Sequence, residues 1–377
     1  MSMPHRHFHR LAWLAVTLAA MVIVFGAFVR LSHAGLSCPD WPTCYGQAAW
    51  PEQAHEIAAA NAGFARPVEV HKAWREQFHR HIAATLGVMV LALALLARRG
   101  SRGLWVVLGA SVTVALSIAL YIGGNPGFSA LLAAVGEAAL LALALQRGAP
   151  TMARLAPLTL AVIVFQALLG MWTVTWLLKP VVVMGHLLGG LTTFALLLTM
   201  AWRSTPGRDM PRADLSSLRP WLWGALVLLA LQIALGGWTS ANYAALSCGA
   251  YFPTCQGQWW PPHDFGQGFV LWRGIGVDYE GGVLDGPARV AIQLAHRVMA
   301  VVVLLGLLGT AWRLIRSSGL TLWGWLLILA LALQLGLGIG NVKLGLPLSV
   351  AVAHNAGALL LLAILVSLLA RLRERRL

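Results

Sequence analysis

The sequence predicts an all-α polytopic membrane protein: two pseudo-symmetric four-helix bundles in parallel repeat plus an inserted helical hairpin, about ten transmembrane helices in all. Three observations carry that prediction. Hydrophobic residues make up 59% of the 377 and charged residues only 11%, with mean hydropathy +0.74, a balance that soluble domains of this length do not show. The apolar residues fall in runs of about 20 or more, the length needed to cross the hydrocarbon core. The basic residues gather in short connections that alternate threading places on one side.

In chain order, a basic start from His5 to Arg10 precedes an apolar run at about 11–31. Ser32-His33-Ala34 could pass for a signal-peptidase site, but the run is too long for a signal h-region and reads as a retained first span. An outer loop with Cys38 and Cys44 follows. Further spans are expected at 72–97, 103–122, 127–146, 153–177 and 181–202. A linker rich in Arg, Pro and Ser, 203–219, divides the chain into an N-terminal bundle, 1–202, and a C-terminal bundle, 220–377. The second half has spans near 220–241, 287–313, 321–341 and 346–370, with a long outer loop from Asn242 to Gly286.

A net charge of +14 would suit a nucleic-acid partner, but its placement argues against one. Arg98, Arg99, Arg102, Arg147 and Arg154 share one side with Arg203, Arg208, Arg212 and Arg219. Arg313 and Arg316, then Arg371, Arg373, Arg375 and Arg376, fall there too. This positive-inside pattern places both termini and the linker on the inner side of the membrane. The expected location is the inner (plasma) membrane of a bacterial cell, multi-pass with both termini cytoplasmic.

The halves repeat. Leu36-Ser37-Cys38, Pro42-Thr43-Cys44, His79-Arg80, Gln166-x-x-Leu169-Gly170 and His186 recur as Leu246-Ser247-Cys248, Pro253-Thr254-Cys255, His296-Arg297, Gln334-x-x-Leu337-Gly338 and His354. Both copies start and end on the same sides, so the repeat is parallel. The hairpin at about 103–146 has no counterpart and carries no histidine.

Ionisable residues inside a membrane span default to a functional reading. Two histidines on facing helices of a four-helix bundle can hold haem iron at both axial positions, and each half supplies one pair: His79 with His186, and His296 with His354. A lone intramembrane histidine more often hydrogen-bonds between helices, but four in register favour ligation. Arg80 and Arg297 adjoin two of these histidines. Contact with haem propionates and snorkelling to headgroups are both open for them, the propionate role being favoured at Arg80. Glu76 lies one turn before His79, where the second half has Gln293, which suggests reaction at the first site and a redox or structural cofactor at the second. A solvated Glu76, or one paired with Lys72, Arg75 or Arg80, is the bland alternative. Glu137 in the hairpin lies deeper, with no partner at its spacing.

The pairs Cys38/Cys44 and Cys248/Cys255 fall in outer loops, where disulfide staples are the default reading. Thiol–disulfide exchange at Cys38/Cys44 stays open. A zinc site of four thiolates competes weakly, since the pairs are far apart and neither is Cys-x-x-Cys. Gly336, Gly338 and Gly340, with Gly189 and Gly190, allow close helix approach or room for a macrocycle. The 17 tryptophans fit an interfacial belt.

These residues resemble the haem A synthase family. The likeness lies in Arg30-Leu31-Ser32-x-x-Gly35-Leu36-Ser37, Glu76-x-x-His79-Arg80, Gln166-x-x-Leu169-Gly170 with Thr173-Val174, Pro180 to His186-Leu187, His296-Arg297 and His354. It covers nearly the whole chain except the 103–146 hairpin and Trp259 to Asp285. The resemblance implies an enzyme of cytochrome oxidase assembly that oxidises a ring methyl of haem O to a formyl group, through hydroxylated intermediates, giving haem A. It implies that His296 and His354 hold a haem b cofactor, that His79 and His186 line the substrate haem site, and that Glu76 is catalytically important. The implied partners are haem O as substrate, contact with haem O synthase, an electron donor that the residues do not name, the lipid bilayer, and further copies of the chain. The family usually has eight spans, and the extra hairpin departs from that. A dihaem b-type electron carrier or quinol-oxidising cytochrome subunit is the alternative, and a parallel-repeat transporter a third reading.

Overall fold

The computed structural model describes residues 7–206 and 215–372, and within these the only regular elements are helices. Ten are long and apolar enough to cross a membrane. In the first half these are α1 (Phe8–Leu31), α3 (Val70–Arg98), α4 (Gly103–Ile122), α5 (Pro126–Leu145), α6 (Thr151–Thr175) and α7 (Pro180–Ser204). In the second they are α8 (Leu215–Ala241), α10 (Gly286–Ile315), α11 (Thr321–Lys343) and α12 (Leu348–Arg371). Two short helices, α2 (Ala54–Gly63) and α9 (Phe265–Gly268), lie in the two loops that carry the cysteine pairs; hydropathy does not mark them, because neither has an apolar run of its own. The beginning of the basic start, Arg208 and Arg212 of the linker, and Arg373, Arg375 and Arg376 of the tail lie outside the described residues.

The chain divides into two compact units. Among the described residues, one comprises 7–22, 81–168 and 189–206 and the other 23–80, 169–188 and 215–372.

In the first unit α4 packs closely on α5. A methyl group at Gly136 would sit 2.6 Å from Thr113 Oγ1 and 3.0 Å from the Ala110 carbonyl oxygen, so only glycine permits that approach. Arg98, at the end of α3, donates to Gln146 Oε1 (2.7 Å) and to the Leu143 carbonyl (2.7 Å), tying the hairpin's end to α3. Trp13 Nε1 donates to Thr205 Oγ1 (3.0 Å), and its ring meets Trp202 edge-on at 4.8 Å.

In the second unit α8, α10, α11 and α12 close a four-helix ring: α8 packs on α10, α10 on α11, α11 on α12 and α12 back on α8. The repeat extends to the turns. Helix α1 ends with His33 at φ 53° and α8 with Tyr243 at φ 53°. The next amides, Ala34 and Ala244, reach back to Val29 (3.0 Å) and Thr239 (2.9 Å), the bond pattern that closes a helix through a left-handed residue. The corners before α7 and α12 match likewise: Leu178 and Leu346 have φ 59° and 62°, and their amides bond to Thr173 (2.8 Å) and Asn341 (2.8 Å). The same turn geometry at these two corners of each half follows from the sequence repeat.

Both cysteine pairs are disulfides, with Cα–Cα separations of 4.6 Å for Cys38–Cys44 and 4.5 Å for Cys248–Cys255. Each leads into a tight hairpin turn, Cys44 to Gln47 and Cys255 to Gln258. The two central residues of each turn have positive φ: Tyr45 54° and Gly46 75°, Gln256 52° and Gly257 78°. That is the geometry of a two-residue hairpin loop with both centres left-handed.

Candidate functional site

The four intramembrane histidines share one local construction: each leans on a bare glycine of the neighbouring helix. A methyl at Gly26 (α1) would sit 2.8 Å from His79 Cε1, and one at Gly170 (α6) 3.2 Å from His186 Cε1. In the second half Gly236 (α8) and Gly338 (α11) stand in the same relation to His296 (3.3 Å) and His354 (3.1 Å). Any side chain at these glycines would push against an imidazole. Within each half the two histidines are close enough for charge on one to act on the other, His79 with His186 and His296 with His354. Among the described residues the buried Nδ1 atoms of His79 and His354 have no hydrogen-bond partner.

One helix partner differs between the halves. Gln232 lies against His296, its Nε2 3.2 Å from Nδ1 and donating to the His296 carbonyl at 3.2 Å. Gln334 Nε2 lies 3.3 Å from His354 Nε2. Gln232 opens a third Gln-x-x-Leu-Gly stretch, ending at Gly236; the position that the repeat aligns with it in α1 is Val22.

Beside His79 the N-terminal end of α3 is locked to the first disulfide loop. Glu76 is 5% exposed; its Oε2 accepts from the Cys38 amide (2.8 Å) and its Oε1 from Arg80 Nη2 (2.6 Å). The same guanidinium donates to the carbonyls of Asp40 (2.7 Å), Thr43 (2.6 Å) and Cys38 (3.1 Å). Glu76 is thus paired with Arg80 and buried, not solvated. In the second half Arg297 Nη1 donates to the Thr254 carbonyl (2.8 Å), again gripping the disulfide loop. Gln293 replaces the carboxylate there, and Arg297 Nε and Nη2 are buried without a hydrogen-bond partner.

A strap from the long loop between α8 and α10, Phe269 to Leu284, reaches the elements around His186. Tyr279, 1% exposed, packs with Leu36, Val174 and Leu178, and its amide donates to the Leu177 carbonyl (3.1 Å). Glu280 pairs with Arg66, which also donates to the Leu36 carbonyl (2.9 Å). Lys179, at the corner before α7, is 1% exposed with Nζ 3.3 Å from the centroid of the Trp272 ring. Burial lowers the pKa of this ammonium, and the indole face is its main compensation.

The residues singled out from sequence therefore fall into two groups with one plan: Glu76, His79, Arg80, His186 and Cys38–Cys44 in one, His296, Arg297, His354 and Cys248–Cys255 in the other. The described residues contain no group of three or more His, Cys, Asp or Glu side chains placed to hold a bare metal ion. Gly26, Gly236, Gln232 and the strap were not singled out. The repeat contained a signal for the first two, since Gly26 and Gly236 fall at equivalent places before Leu36 and Leu246.

Residues 9–366 match the family model COX15-CtaA, described as cytochrome oxidase assembly protein. The chain is also 38% identical over 364 residues to a protein of Shewanella oneidensis named haem A synthase, a match covering 95% of this chain and 96% of that one.

Proposed function

This chain belongs to the family of cytochrome oxidase assembly proteins, and from that membership we propose that it is a haem A synthase, a membrane oxidoreductase converting haem O to haem A by oxidation of a ring methyl to a formyl group. The observation that carries the assignment to residues is the pair of glycine-backed histidines in each half, with a buried carboxylate beside one pair only.

The side chains fit haem. A bare glycine beside the Cε1 of each imidazole lets the ring pack closely against the neighbouring helix. The unpartnered Nδ1 atoms of His79 and His354 are polar groups that a buried site must otherwise satisfy. In our assignment His296 and His354 hold a resident haem b, and His79 with His186 orient haem O. Bound there, haem b supplies a one-electron redox centre. The two unpartnered donors of Arg297 suit a propionate carboxylate. Both Nη atoms of Arg80 are engaged by the loop carbonyls and Glu76, so its larger role is to fix Glu76 and the loop.

Glu76 holds a proton or a negative charge at the outer end of the first site. Its two oxygens are oriented by the Cys38 amide and Arg80, which prevents rotation and keeps the carboxylate at one depth near His79. The disulfides secure the loops that do this orienting. The proposal includes an inner-membrane location with both termini in the cytoplasm, contact with haem O synthase, an external electron donor and self-association. The two halves, 1–202 and 220–377, act as substrate bundle and cofactor bundle.

Absorbance spectra of purified variants test the division of labour. His296→Ala and His354→Ala should each abolish the resident haem b spectrum, whereas His79→Ala should retain it. Loss of the resident spectrum in His79→Ala, with retention in His354→Ala, would reverse the assignment.

A further inference from the structure

The first histidine site carries an aromatic ledge that the second lacks. Phe25 on α1 is its centre, with ring centroids 5.6 Å from Phe28, 6.2 Å from Trp74 and 5.2 Å from Phe78. Phe25 also stacks on the His79 imidazole, at 6.5 Å and 22°. The ledge is open on one side: Phe78 is 41% exposed, and Phe25, Phe28 and Trp74 are half-buried.

The repeat provides an internal control. It aligns Trp74 and Phe78 with Ala291 and Ala295, and Phe25 with Leu235. Three of the ring positions around His79 therefore have no aromatic counterpart around His296. Both histidines lie in membrane spans, so an apolar setting common to the two does not by itself account for the difference. The Arg75 guanidinium lies over part of this ledge, 5.1 Å from the Phe28 ring centroid and 5.9 Å from that of Trp74, and the exposed Phe78 beside Phe25 presents an apolar face that the second site does not have.

The two haems in the reading above differ in such a feature. Haem O bears a long isoprenoid chain where haem b has a vinyl group. We propose that Phe25, Trp74 and Phe78 form the binding surface for the isoprenoid chain of the substrate, and so determine that prenylated haem occupies the first site. The inference rests on the assignment of His79 to the substrate site. A branched, unsaturated chain offers no polar group to pair with, and aromatic faces provide large apolar contact without mobile side chains. The small residues at Ala291 and Ala295 provide no such surface beside His296.

The test replaces each aromatic by the residue of the other half: Phe25→Leu, Trp74→Ala and Phe78→Ala, in the full chain in lipid nanodiscs with its resident haem. Haem O and haem B are each titrated in, and uptake beyond the resident haem is followed by absorbance, with His186→Ala as the control that removes first-site ligation. The wild-type chain should prefer haem O. The combined variant should lose about tenfold or more of its haem O affinity, the scale of one buried aromatic's apolar contact, and keep its haem B affinity within about twofold. Equal losses for the two haems would mean that the ledge supports helix packing only and would overturn the proposal, as would an unchanged preference. If the wild-type chain takes up both haems equally, the ledge alone fails. If it takes up neither, the site assignment fails and the ledge with it.

Discussion

At Glu76 one carboxylate oxygen meets the Cys38 amide and the other Arg80, so a substitution there touches both the loop and the chemistry. In Glu76→Gln the amide oxygen still accepts from Cys38 and Arg80 keeps its loop carbonyls, while the Arg80 pair, the charge and the titratable proton are lost. We expect the variant to fold and retain its haem but to turn over at least about a hundredfold more slowly, the usual scale of a positioned acid or base. Full activity would reduce Glu76 to a loop anchor. Gly26 offers a second residue-scale test. Gly26→Ala places a methyl 2.8 Å from His79 Cε1 and should weaken haem uptake at the first site, whereas Gly87→Ala, on the same helix as His79 with nothing within 4 Å, should leave it unchanged. Spectral titration of the two variants distinguishes a shifted imidazole from a general effect on the helix. The histidines and the carboxylate were legible in the sequence because charge and imidazole are rare in apolar runs. The glycines were less so, because a glycine's contact depends on which helix lies opposite.

The spans show how much of an element hydropathy can define. The run expected at 103–122 is α4 at the same residues, and the other nine agree with their helices to within about five residues at either end. Apolar length and flanking charge determine such elements, so the sequence contains them almost whole. The strap from Phe269 to Leu284 is the opposite case. It has no helix and no periodicity, and its position depends on Tyr279 entering a cluster formed by Leu36, Val174 and Leu178, residues far away in sequence. Tyr279→Ala should lower the stability of the purified protein by about 3 kcal/mol, as for other buried aromatics. Trp272→Ala, at a ring that is 61% exposed, should cost about 1 kcal/mol through loss of its contact with Lys179. Thermal unfolding of the two variants checks the order; a larger effect at Trp272 would mean that the cation–π contact, not the buried tyrosine, fastens the strap.

Across the whole molecule, two copies of one helical plan have been given different equipment. Both retain the glycine-backed histidines, the arginine that grips a disulfide loop and the left-handed helix endings. They differ at Glu76 against Gln293, Val22 against Gln232, and the aromatic ledge against alanines. Shared features describe what both sites hold, and the differences describe what each does with it. The repeat made the shared plan readable from sequence, whereas the loop grip by Arg80 and Arg297 needed the folded loops to be seen. The most direct test of the central claim is extraction and chromatography of haems from cells that produce this chain alongside a haem O supply. Haem A, or its hydroxylated precursor, should appear with the intact chain and be absent without it. Unchanged haem O beside haem B, from a protein that still shows a bis-histidine spectrum, would contradict the account and leave a dihaem electron carrier in its place.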